Sequence, residues 1–115
     1  MRESAFLDEV VQMSSLLDEQ GFVFSSSSWN RELAQKIAIE QFHINLMEKH
    51  WTCIYFVREY YGKWEAMPMI KTIRENSGLT IDEFELLFKA DQSSARGVLC
   101  KIAGLPRLLC ISAGC

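Results

Sequence analysis

Three of the four cysteines in this chain, Cys100, Cys110 and Cys115, lie within its last sixteen residues, CKIAGLPRLLCISAGC. A thiolate is a good sulfur nucleophile. Two thiols in reach of each other can relay sulfur: one accepts a sulfur atom as a persulfide, and the second releases it as sulfide while a disulfide closes. The acceptor has to be mobile and the resolving thiol within its reach. Nine residues separate Cys100 from Cys110 and fourteen separate it from Cys115. Either loop closes at modest entropic cost, provided the Cα atoms approach within about 7 Å. A terminal segment is poorly ordered unless something ties it down. The pattern therefore predicts a folded body over 1–106 and a flexible, cysteine-bearing arm over 107–115.

Local charge bears on the same thiols. Lys101 and Arg107 stand near Cys100 in sequence and favour its thiolate, while the C-terminal end of a helix opposes it. The plain alternative for Cys100 is a small buried core residue. Cys53 sits in an apolar stretch and reads as core. No two cysteines are spaced Cys-x-x-Cys, and neither His43 nor His50 pairs with a cysteine at ligand spacing, so neither a metal site nor a cofactor is expected. His50, beside Trp51, reads as a helix-surface residue or packing partner. The basic residues Arg96, Lys101 and Arg107 flank the arm and are candidates for docking a partner. Lys71 and Arg74 could extend that patch.

Length and composition bound the rest. At 115 residues, 49% hydrophobic and 23% charged, the chain is expected to be one soluble domain with a core that needs no disulfide staples. A net charge of −3 argues against a dedicated nucleic-acid binder. The opening residues show no secretory pattern. No run of about 18 apolar residues suggests a membrane span. The expected compartment is the cytoplasm, where thiols stay reduced and clustered cysteines point to redox, catalytic or metal chemistry.

The elements that must position these thiols are mainly helical. The first 28 residues are ambiguous. Phe6, Val10, Met13 and Leu17 fall at helical spacing, yet the stretch through Asp18-Glu19-Gln20-Gly21-Phe22 also reads as short strands around a turn. From Trp29 the pattern is helical, with Ser28 as N-cap and Leu33, Ala34, Ile37 and Ala38 on one face. A second helix from about Leu46, capped by Asn45, carries Trp51, Cys53, Ile54, Phe56, Val57, Tyr60 and Tyr61 on a broad apolar surface and belongs in the core. A third runs from Pro68 to Ser77 and ends at Gly78. Thr80 and Glu83 form a capping box for a fourth, whose apolar positions are Ile81, Phe84, Leu87 and Phe88. A fifth spans about Ser94 to Ala103, with Gly104 to cap it and Pro106 to stop it.

The order of these features resembles the DsrC/TusE family, which comprises gamma-subunit-like partners of dissimilatory sulfite reductase and sulfur-relay proteins of tRNA thiolation. The resemblance runs from about Leu17 to the C-terminus. It rests on Leu17-Asp18-Glu19-Gln20-Gly21-Phe22, Trp29-Asn30 followed by Glu32, His50-Trp51 followed by Phe56-Val57-Arg58-Glu59-Tyr60-Tyr61, Pro68-Met69-Ile70-Lys71, and Cys100-Lys101-Ile102-Ala103-Gly104-Leu105-Pro106. Two features depart from the family pattern. Leu108-Leu109 replace a stiffer tail segment, with Ser112-Ala113-Gly114-Cys115 added after Cys110-Ile111. Lys89 to Ser94 replaces a glycine-proline run.

The resemblance implies an α+β fold of about five helices with a small N-terminal β-hairpin or meander. It also implies a sulfur-relay or thiol-redox partner protein, carrying sulfur on Cys110, Cys100 and Cys115 to or from a larger sulfur enzyme. On this reading the chain is at most a persulfide sulfurtransferase or protein co-substrate, with no small-molecule substrate, membrane or nucleic-acid partner. A cysteine at position 100 favours the sulfite-reductase-associated type over the tRNA-thiolation type. Between the tail thiols, Cys110-Ile111 keeps the family's local pair. Cys115 reaches roughly 16 Å further at about 3.3 Å per residue, but a terminal carboxylate beside it disfavours its thiolate. Cys110 therefore ranks first as acceptor. The competing class is a helix-turn-helix DNA binder built on the third and fourth helices. Asp82, Glu83 and Glu85 on its reading helix would repel phosphate.

Overall fold

The computed structural model describes residues 17–23 and 25–113. Among these residues six α-helices follow one 3-10 turn at Ser26–Ser28: α1 (Arg31–Phe42), α2 (Glu48–Trp64), α3 (Ile70–Ser77), α4 (Ile81–Phe88), α5 (Gln92–Ile102) and α6 (Arg107–Ala113).

The expected α+β class, with its N-terminal β-hairpin or meander, is corrected: the described residues contain no strand. One antiparallel bridge, Leu17 to Val23, is the whole of the β structure among them. Between these two residues the chain is wound into a side-chain-stabilised turn. The Asp18 carboxylate accepts from the Gln20 and Phe22 amides at 2.9 and 3.0 Å, and Gly21 supplies a φ of 84°. After Val23 the serines take over. Ser25 and Ser27 bond each other through their hydroxyls at 2.8 Å and the backbone winds into the 3-10 turn. Local serine hydrogen bonding competes with a ladder, so no strand continues. The helix-or-strand alternative for Phe6, Val10 and Met13 lies outside the described residues.

Most helix ends obey local rules. Thr80 Oγ accepts from the Glu83 amide at 3.1 Å, and Glu83 returns the bond to the Thr80 amide at 2.9 Å, the expected capping box. Gly78 ends α3 in the left-handed region. Three starts shift. Asn30, not Ser28, caps α1, accepting from the Leu33 amide at 2.8 Å. Asp91 starts α5 two residues early by accepting from the Ser94 amide. At α2 neither Asn45 nor Leu46 opens the helix. The Met47 amide instead donates to His50 Nδ1 at 2.9 Å, so a histidine ring performs the capping.

α5 is the hub, and it packs against each of the other five helices. Its Ala95, Leu99, Cys100 and Ile102 are buried with Leu33, Ala34, Ile37 and Ala38 of α1, Cys53, Ile54 and Val57 of α2, Ile73 of α3, and Phe84 and Phe88 of α4. Each large side chain among these contributes about 1.5–3 kcal/mol by leaving water. The expected fourth-helix stripe is only half buried, since Ile81 remains exposed. α5 ends at Ile102, and Gly104 turns the chain in the left-handed region before Pro106 is reached. Pro106 stands at the start of a sixth helix that the sequence pattern does not predict, its carbonyl accepting from the Cys110 amide at 3.1 Å, and α6 lays Cys110 back on the core.

Candidate functional site

Cys100 lies in the last turns of α5 and Cys110 in α6, and the corner between the helices brings them face to face. They form a disulfide with a Cα–Cα distance of 5.4 Å. Both are buried, Cys100 fully and Cys110 to within 4% exposure. Cys110 Sγ lies 3.5 Å from the carbonyl oxygen of Leu105. Cys115, the other expected tail thiol, lies outside the described residues.

The corner is built with unusual completeness. A helix leaves its last four carbonyls without intrahelical partners. Here local amides take three carbonyls at the end of α5: Ala103 N–H bonds Leu99 O at 2.9 Å, Leu105 N–H bonds Cys100 O at 3.3 Å, and Gly104 N–H bonds Lys101 O at 3.1 Å. The next two carbonyls are taken from afar. The Trp29 indole N–H donates to Ile102 O at 2.8 Å, and Arg58 Nη1 donates to Ala103 O at 2.7 Å. The Arg58 guanidinium also lies over the Trp29 ring, 4.1 Å from its centroid, and Tyr55 meets the same ring edge-on at 6.2 Å. Gly104 adopts a φ of 72° against this indole, leaving no room for a Cβ.

The three cations proposed to flank the arm point into different surroundings. Arg96 donates to two backbone carbonyls, Pro68 O at 2.9 Å and Met67 O at 3.0 Å, and so ties α5 to the start of α3. Lys101 sets its ammonium over the rings of Phe22 and Phe42, at 4.6 and 5.6 Å. Burial lowers its pKa, and Asp18 pulls the other way. Arg107 is exposed at the first position of α6. Of the two other basic residues, Lys71 is exposed, and Arg74 directs Nη1 toward Leu79 O at 3.4 Å.

Cys53 is fully buried with its sulfur 3.3 Å from Ser77 Oγ, and burial raises its thiol pKa. His50 is a buried packing residue whose ring is bonded on both nitrogens. Among the described residues no group of three or more metal-ligating side chains gathers. In the sequence Trp29 and Arg58 stand only as letters of motifs. Their role at the corner is invisible there because their partners lie 73 and 45 residues away. Arg58 shares α2 with Glu48, Lys49, Glu59 and Lys63, so its letter alone gives no signal.

Among the described residues, a six-helix core whose last two helices hold a cysteine pair across a clamped corner defines a small thiol protein. Comparison with known proteins makes the assignment specific. The family model of the DsrC-like proteins matches residues 9–111, and the chain belongs to this family. It is 33% identical over 94 residues to sulfurtransferase TusE of Buchnera aphidicola subsp. Schizaphis graminum, covering 78% of this chain and 82% of that one. A crystal structure described as dissimilatory sulfite reductase I (DsrI) superposes with a TM-score of 0.67 at 32% identity, covering 78% of this chain and 84% of that one. The oxidised gamma-subunit of the dissimilatory sulfite reductase (DsrC) from Archaeoglobus fulgidus superposes with a TM-score of 0.61 at 27% identity, covering 78% and 85%. No helix among the described residues is long and apolar enough to cross a membrane.

Proposed function

We propose that this chain carries sulfur on Cys110 for a larger sulfur-metabolism enzyme, with Cys100 as the resolving thiol. The supporting observation is the Cys100–Cys110 juxtaposition, two thiols from separate helices held 5.4 Å apart at Cα. In the open, reduced protein the Cys110 thiolate attacks the outer sulfur of a persulfide donor. The Cys110 persulfide forms, and the donor leaves as a thiol. The Cys100 thiolate then attacks Cys110 Sγ, the sulfur–sulfur bond of the persulfide breaks, and hydrogen sulfide departs with the Cys100–Cys110 disulfide left behind. On this reading the closed pair is the discharged state, and a dithiol reductant must return two electrons before the next cycle. Residues 107–115 act as an arm that must leave the core to meet the donor, and Cys115 is a reserve acceptor.

Arg107, exposed at the base of the arm, is the leading docking residue, with Arg96 and Lys101 behind it on α5. We assign the chain to the cytoplasm, where such thiols are kept reduced. The presence of Cys100 supports a sulfite-reductase-like partner. The similarity to TusE supports the second reading, a sulfurtransferase of tRNA 2-thiouridine synthesis.

The test is mass spectrometry of the reduced chain after exposure to a persulfide donor. One added sulfur atom on Cys110, lost in Cys110→Ser and retained in Cys115→Ser, is expected. Loading that survives Cys110→Ser and vanishes in Cys115→Ser would reverse the ranking. Loading indifferent to both changes would remove the tail from the chemistry. Co-purification with a tagged chain then decides between the two partners.

A further inference from the structure

We infer that Arg58 and Trp29 are positioning residues for the cysteine pair, a clamp that holds the corner after α5 in the geometry from which Cys100 and Cys110 close. The inference deepens the sulfur-carrier reading above and rests on it for its biological use.

Between the two cysteines lie only nine residues, and the chain must reverse within Ala103-Gly104-Leu105-Pro106. The direction of that reversal decides whether Cys110 returns to Cys100 or points to solvent. Local bonds end α5, but they leave Ile102 O and Ala103 O to be satisfied by side chains. Both donors come from outside α5 and α6: Trp29 precedes α1, and Arg58 belongs to α2. The two donors also bind each other, guanidinium over indole at 4.1 Å. Tyr55, on the same helix as Arg58, meets the indole edge, and its hydroxyl accepts from Arg31 Nη1 at 2.8 Å. Arg31 in turn stacks on Trp51 at 4.1 Å. The corner is thereby bonded to the body through α1 and α2. Gly104 lies flat against the indole, so the chain follows one path past it.

This arrangement couples the clamp to the redox state. Closing the pair with glutathione disulfide as oxidant forms one sulfur–sulfur bond within the protein and breaks one in glutathione. The two thiol protons pass to two glutathione thiols. In the disulfide form the corner is pinned, so losing a clamp donor strands a carbonyl that cannot move to water. In the dithiol form the corner can relax and solvate it. The clamp therefore favours the disulfide, and by linkage the disulfide favours the clamp to the same extent. A contact that merely stabilises the fold would favour both forms equally.

Equilibration of the full chain in glutathione redox buffers, with thiol trapping and mass spectrometry at Cys100 and Cys110, measures the effect. Arg58→Met keeps the aliphatic stem and removes the donor. It is expected to lower the closing constant by about tenfold, the scale of one charge-assisted hydrogen bond confined to one of two states. Trp29→Phe keeps an aromatic ring and removes the indole N–H, and about a fivefold loss is expected for a neutral donor. In both variants the thermal midpoint of the disulfide form should fall further than that of the dithiol form. Closing constants unchanged in Arg58→Met and Trp29→Phe, with both midpoints falling together, would overturn the inference. Should Arg58→Met not fold, Trp29→Phe alone decides. No partner or sulfur donor enters this measurement. A chain that closes as described and never loads sulfur would refute the proposed function and leave the clamp standing.

Discussion

His50 donates from Nε2 to the carbonyl oxygen of Leu87 at 2.7 Å while its Nδ1 accepts the Met47 amide. One neutral imidazole therefore caps α2 and bonds it to the last turn of α4. The ring also meets Phe88 edge-on at 5.3 Å. A proton on Nδ1 would break the cap and place a charge in an apolar seam. Burial accordingly lowers the pKa of His50, opposed in part by the Leu87 bond.

The stability of the fold should depend on pH through this ring. The folded pKa lies below the unfolded value of 6.5, so the unfolded chain binds the extra proton first. The contribution is complete above about pH 6.5 and is lost as pH falls from there through the folded pKa. Thermal unfolding of the reduced chain between pH 8 and 5 should show the midpoint dropping below about pH 6.5. His50→Gln should start lower and give a flatter profile across that window. A parent profile as flat as the variant's would exclude His50 as the source.

The thiols of the reduced native chain should differ in reactivity. Cys53 is sealed between α2 and α3 against Ser77, and desolvation raises its pKa, so little thiolate is available there. Alkylation with iodoacetamide, followed by peptide mass mapping, should modify Cys110 well before Cys53. Cys53 should react only when denaturant opens the core. Equal rates at the two residues would mean that the seam between α2 and α3 opens as readily as the arm.

Two glycines should respond oppositely to alanine. At Gly104 the φ of 72° and the adjacent indole both oppose a side chain. Gly104→Ala is expected to cost about 1–3 kcal/mol from the backbone alone, with further loss as Trp29 shifts. Gly62 is exposed within α2, and a methyl group there would meet nothing within 4 Å. Gly62→Ala should therefore add about 0.5–1 kcal/mol of stability. Urea unfolding of both variants checks the pair, with midpoints moving in opposite directions. A neutral Gly104→Ala would show that the corner is looser than its contacts indicate.

Much of this protein can be read from the sequence because much of it is local. Thr80 with Glu83, Gly78 after Ser77, and the buried face of Leu33, Ala34, Ile37 and Ala38 depend on residues three or four apart on one helix. The family resemblance rests on several short motifs in order along the chain, ending in the signature from Cys100 to Pro106. The N-terminal hairpin fails where local rules are divided. Leu17 and Val23 do pair, but Asp18 winds the intervening chain into a turn and the serines after Val23 end the ladder. The starts of α1, α2 and α5 slip for a similar reason, since several neighbouring residues could cap each helix and the local pattern does not rank Asn30, His50 and Asp91 above the others, although each makes its capping bond only three residues along the chain. Nothing in residues 100–110 taken alone decides that the chain turns back after Gly104, or that Cys110 is buried against Cys100 on a sixth helix. That choice is made by Trp29 and Arg58, bonded to Ile102 and Ala103 across 73 and 45 residues. A sequence shows spacing along the chain, whereas those two hydrogen bonds exist only once α1, α2 and α5 have packed and carried the donors to the carbonyls.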